Sequence, residues 1–154
     1  IKNPSDQNAY HYHSVRWRGV SFASYNCFEL ADIRHRALFK SEIDLLIACV
    51  WNKDTNYYQH ILESAVRDLH CYAIQVNTSQ FGSYVLQPSR TETRVKLAVQ
   101  GGDNVSIRTT TIDIAKLRSF QFKSKPKGNL AFKPLPPGYD NDAVLTGANK
   151  VKKL

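Results

Sequence analysis

The sequence predicts an α/β fold in which a mixed β-sheet carries helices on one face. Two observations lead to it: short continuous apolar runs alternate with helix-period segments through the first half, and strand-like segments without intervening helices follow. A third sets the scale, because 154 residues, 42% of them hydrophobic and without an internal repeat, suffice for one core.

Residues 1–14 are polar and turn-rich, whereas 18–26 (RGVSFASYN) interleave Val20 and Phe22 with small residues in the manner of a strand. That strand ends at Cys27. From 29 to 40, Leu30, Ile33, Ala37 and Leu38 recur at three- and four-residue spacing, which is a helix face. Residues 44–50 (DLLIACV) form an unbroken apolar run of strand length, as for a strand covered on both sides, terminated by Trp51 and Asn52. Asp54 or Thr55 then caps a helix whose Tyr57, Tyr58, Ile61, Leu62, Ala65, Val66 and Leu69 make one apolar stripe. Residues 71–76 (CYAIQV) are the next buried strand.

Beyond Asn77 the pattern changes. Residues 83–87, 94–99 and 104–112 read as strands joined by Pro88-Ser89 and Gly101-Gly102, and 112–122 as a short helix starting near Asp113. After Lys123 the chain carries Pro126, Pro134, Pro136, Pro137, several glycines and many lysines, which predicts an extended or disordered tail. The expected division is therefore a domain over 1–122 and a Pro/Gly/Lys-rich tail over 123–154.

Composition excludes several functions. No apolar run reaches the roughly 18–20 residues of a membrane span, and the opening IKNPSDQNAYHYH lacks the pattern of a signal peptide. A soluble, cytoplasmic protein is the expectation. Cys27, Cys49 and Cys71 are odd in number and sit in or beside apolar runs, which argues for free thiols in a reducing compartment. No CxxC or HxxxH spacing occurs, so His11 and His13 read as solvated and neither metal nor cofactor is expected. The chain contains no Met and begins at Ile1, the mark of a piece cut from a longer protein. A net charge of +8 permits contact with phosphate, concentrated at Arg16–Arg18, at Arg34-His35-Arg36, and at Lys123, Lys125, Lys127, Lys150, Lys152 and Lys153. Such runs more often solvate a surface.

Cys27 leaves a strand for a helix. A nucleophile there gains from the helix N-terminus, which lowers its pKa, and from backbone N–H groups that stabilise an oxyanion, although a cysteine in that place can equally be a small buried hydrophobe. Read together, Asn26-Cys27-Phe28-Glu29-Leu30, Asp32-Ile33-Arg34, the strand ending Val50-Trp51-Asn52, the helix through Ser64-Ala65-Val66-Arg67-Asp68, the strand 71–77 and Ser79-Gln80-Phe81-Gly82-Ser83 resemble the nitrilase (carbon-nitrogen hydrolase) superfamily. The resemblance covers about residues 15–120, the C-terminal part of such a domain.

It implies an α-β-β-α sandwich when two sheets pair, homo-oligomers, and hydrolysis of small amides or nitriles by a Glu-Lys-Cys triad without a cofactor. Cys27 is then the nucleophile and the Phe28 N–H an oxyanion donor. Lys2, the only lysine before Cys27, is the candidate for the triad lysine or else a solvated terminal residue, and no Glu precedes Cys27. Glu29 would orient groups at the site or cap the following helix; Trp51 would line the pocket or fill the core; Asn77 and Ser79 would shape the pocket or only make a turn. Within the superfamily, CFELADIR and the region after Gly82 look most like the domain fused to certain bacterial antiviral reverse transcriptases. That context implies nucleic acid reached through the polymerase part. A module that keeps the fold without catalysis and a basic nucleic-acid-binding module are the alternatives.

Overall fold

The computed structural model describes residues 11–122, 131–143 and 150–153. In chain order the elements are β1 (His11–Trp17), β2 (Val20–Asn26), α1 (Cys27–Ala31), α2 (Ile33–Ala37), β3 (Leu45–Cys49), α3 (Thr55–Leu69), β4 (Tyr72–Val76), β5 (Ser83–Leu86), β6 (Val95–Val99), α4 (Ile114–Phe122) and β7 (Lys150–Lys153). The strands form one seven-stranded sheet in the order β6-β5-β4-β3-β2-β1-β7. β2, β3 and β4 run parallel at its centre and the flanking pairs are antiparallel. The mixed α/β sheet expected from the sequence is therefore present.

Alternation along each strand separates two apolar layers. On one face Ala23, Leu46, Ala73 and Leu86 align across four strands, all fully buried. The small side chains among them let Leu30 of α1 and Leu62, Ala65, Val66 and Leu69 of α3 approach closely. On the other face Leu45 and Tyr72 meet Leu117 and Phe120 of α4 and Phe132. Helices thus occupy both faces, α1–α3 on one and α4 at one end of the other. Asp44, fully buried, draws α4 there by accepting hydrogen bonds from Arg118 Nε (2.9 Å) and the Ser21 N–H (2.8 Å).

Several boundaries depart from the sequence reading. The single helix expected over 29–40 is two short helices, because Asp32 takes an extended conformation and its carboxylate accepts the Arg34 N–H at 2.8 Å as the cap of α2. Residues 104–112 form no strand. The chain turns at Gly101-Gly102, where Gly102 has φ +60°, and leaves β6 with Val105 and Ile107 both almost fully exposed. β1 was hidden in the polar N-terminal stretch because its inward residues are Tyr12 and Ser14; it joins β2 through Arg18 and Gly19, both at positive φ as a two-residue type I′ hairpin requires. In the region read as a tail, Phe132 is buried against α4, the Lys133 N–H donates to the Pro88 carbonyl, and Lys150–Lys153 pairs with β1.

Candidate active site

The parallel strands β2, β3 and β4 end side by side, with Asn26, Cys49 and Val76 in register. The next residues of each strand, Cys27, Trp51-Asn52 and Asn77, therefore gather at one edge, where α/β sheets place their sites. Cys27 opens α1, whose N-cap is Asn26. The Glu29 carboxylate accepts the Asn26 N–H at 2.7 Å, so of its two expected roles Glu29 fills the capping one.

The Cys27 Sγ lies 3.2 Å from the Tyr58 hydroxyl, 3.9 Å from Asn52 Nδ2 and 4.0 Å from the Trp51 carbonyl. Partial burial works to raise the thiol pKa, but hydrogen bonding with Tyr58, the Trp51 backbone and Asn52 outweighs it, and the pKa falls below the ordinary thiol value. Of the side chains at the sulfur, Tyr58 and Asn52 are the ones able to donate to it. α1 is a short helix of five residues. The other thiols contrast with it: Cys71 is fully buried, which pushes its pKa far up, and Cys49 is exposed on the opposite face.

Asn77 fixes this edge. Its Nδ2 donates to the Asn52 carbonyl at 2.9 Å and its Oδ1 accepts the Asn52 N–H at 3.3 Å. Asn77 also lines a groove of about 550 Å³ over β4, β5 and β6, with Val76, Ser79, Phe81, Val99 and Arg108 among its walls. The Trp51 side chain is 81% exposed and fills no part of the core. Phe28 is exposed too, with its backbone N–H next to Cys27 in sequence. Lys2 lies outside the described residues.

Tyr58 and Asn52 contact the sulfur, yet sequence reasoning gave them other roles, Tyr58 as part of an apolar helix stripe and Asn52 as a strand terminator. The stripe reading is right for the ring, which is 4% exposed, and silent about its hydroxyl. Among the described residues no group of three or more His, Cys, Asp and Glu could hold a metal ion, and no helix is long and apolar enough to cross a membrane.

The basic clusters are largely engaged within the fold. Arg34 pairs with Asp32, Arg36 donates to the carbonyls of Leu30 and Ala31, Lys150 and Lys152 reach Glu42, and Arg18 stacks on Trp17. Lys123, Lys125 and Lys127 lie outside the described residues.

No protein-family model matches the chain, and no curated protein matches it in sequence. Solved structures do. XC1258 of Xanthomonas campestris, a CN-hydrolase superfamily protein with an arsenic adduct in its active site, is 18% identical at a TM-score of 0.54, with 71% of this chain and 46% of that one covered. Nit3 of Saccharomyces cerevisiae, a member of branch 10 of the nitrilase superfamily, is 12% identical at a TM-score of 0.54, covering 75% and 46%. The chain spans about half the length of these structures. Its seven-stranded mixed sheet and helices have a nitrilase-like fold.

Proposed function

We propose that this chain is the cysteine-bearing part of a thiol-dependent carbon-nitrogen hydrolase, with Cys27 as nucleophile. The observation that supports it most is the acidified sulfur at the shared edge of the three parallel strands, bonded to Tyr58 and Asn52. In the reaction the Cys27 thiolate attacks the carbon of a small amide, and the resulting oxyanion is held by backbone donors including the Phe28 N–H. Collapse, with the general base returning the thiol's proton to nitrogen, expels the amine and leaves a thioester, which water hydrolyses to the acid. The general base and the oxyanion lysine come from Lys2 or from outside the chain, since no Glu precedes Cys27. The exposed Trp51 and the Asn77 side chain, at the same strand edge as Cys27, are the proposed pocket residues.

The test is turnover of short amides and nitriles by the full-length parent protein. Cys27→Ala should abolish it with little change in fold, and undiminished turnover in that variant would sink the assignment.

The same resemblance supports a cytoplasmic parent in which this domain is joined to an antiviral reverse transcriptase and meets nucleic acid through it. Mass spectrometry of the native parent protein, followed by nucleic-acid binding across a salt series, tests that context. A second reading, a non-catalytic module for homo-oligomerisation, is favoured by the exposed Val15, Val76 and Val151 on the sheet face that α4 leaves uncovered. Sedimentation of the parent protein, alongside the turnover assay, separates the two.

A further inference from the structure

The Tyr58 ring, on α3, is packed in the core cluster that Leu30 of α1 shares, and its hydroxyl emerges at the Cys27 sulfur. Burial first, and the neighbouring Cys27 second, push the Tyr58 pKa up to about 12. The phenol therefore keeps its proton throughout the range in which Cys27 ionises. Asn52 presents a second donor to the same sulfur. The Asn52 Oδ1 is taken by the Asp54 N–H at 2.8 Å, which leaves Nδ2 to face the Cys27 sulfur at 3.9 Å. The Tyr58 hydroxyl, 3.2 Å from Sγ, can accept from the thiol or donate to the thiolate.

We infer that Tyr58 is a catalytic residue of this site, the hydrogen-bond donor that holds the Cys27 thiolate, with the Asn52 amide as a second, longer donor to the same sulfur. In the thiol form the Cys27 S–H donates to the Tyr58 oxygen. When that proton leaves to an external base, the hydroxyl rotates about its C–O bond and donates to the negative sulfur; Tyr58 neither gains nor loses a proton. The inference rests on the proposed nucleophile only in taking the thiolate to be the working form.

The experiment is the pH dependence of iodoacetamide labelling, resolved by residue, for the parent protein and its Tyr58→Phe variant. Loss of the hydroxyl alone should raise the apparent pKa of Cys27 by about one unit and slow its labelling at neutral pH roughly tenfold. Cys49 should be unchanged, and Cys71 should stay unlabelled as long as the fold is intact. Should Tyr58→Phe expose Cys71, Asn52→Ala decides, with a smaller upward shift supporting the inference. A Cys27 profile identical to that of the parent protein, in whichever variant remains folded, overturns it. Labelling needs no turnover, so a nucleophile assignment lost to the Cys27→Ala assay leaves this result readable on its own.

Discussion

Asn77 and Asn52 hold each other by two opposed hydrogen bonds, with the Asn77 amide nitrogen on the Asn52 carbonyl at 2.9 Å and its oxygen on the Asn52 N–H at 3.3 Å. One side chain thereby pins the end of β3 to the end of β4. The Asn77 Oδ1 also accepts the Thr78 N–H at 2.9 Å, which shapes the turn beyond β4.

Asn77→Ala removes these bonds while leaving the apolar core untouched. The expected cost is about 1–2 kcal/mol in chemical denaturation, at the level of one or two neutral hydrogen bonds. Because Asn52 would lose its anchor, the Cys27 labelling rate at neutral pH should fall as well. A stability loss with unchanged Cys27 reactivity would show that the clamp serves the fold alone.

Asp44 and Arg118 provide a second test. The carboxylate is fully buried and its compensating cation comes from α4, so Arg118→Met strands a charge in the interior. Roughly 3 kcal/mol should be lost, as for other buried pairs broken from one side. Adding Asp44→Asn should return part of it. Urea titration of the two variants reads both expectations.

His70 makes stability depend on pH in a predictable direction. It is fully buried, at φ +52°, stacked on Phe120 and facing Phe132 and Tyr139 edge-on. Its Nε2–H donates to the Lys133 carbonyl at 2.8 Å, and the Gln121 amide lies 3.4 Å from Nδ1, so a proton on Nδ1 would meet a donor. Burial lowers the His70 pKa from its ordinary value of 6.5. A folded pKa below the unfolded one leaves this contribution fully present above about pH 6.5 and lost as pH falls through the folded value. His70→Asn, which tolerates the left-handed backbone, should be less stable at pH 8 and show a shallower loss between pH 6.5 and 5. Thermal melts across pH are the measurement.

Cys71 is the internal reporter of unfolding. It is inaccessible and its thiol is held protonated by burial, so in the native protein it should remain unlabelled at pH 8 and react only at the rate of global opening. Labelling of Cys71 as fast as the exposed Cys49 would mean that the buried layer opens locally.

The central β-α-β-α-β unit was legible because its signals are local. The run Leu45–Cys49 and the stripe from Tyr58 to Leu69 need only periodicity, and Asp54 marks the helix start that the structure shows. The edges were not. β1 hides behind His11, His13 and Ser14, because its polar and exposed positions read by periodicity as loop. The break at Asp32 depends on one side chain choosing a cap over a helix interior. At the site, Cys27 stands out by its place between strand and helix, whereas the Tyr58 hydroxyl and the Asn52 amide reach it from 31 and 25 residues away through tertiary packing. Glu29 looked equally suited to site and cap until its carboxylate was seen on the Asn26 N–H.

β7 completes the edge of the sheet against β1, pairing His11 with Lys153 and Ser14 with Lys150. Strands β2–β6 and helices α1–α4 lie between these partners in sequence, so their meeting carries a large loop-closure entropy and gains little until the central strands have formed. During synthesis the outer hydrogen-bonding edge of β1 must wait, unpaired, for the last turn of the ribosome's work on this segment. Amide hydrogen exchange pulsed during refolding should find the β2–β4 ladder protected first and the β1–β7 ladder last.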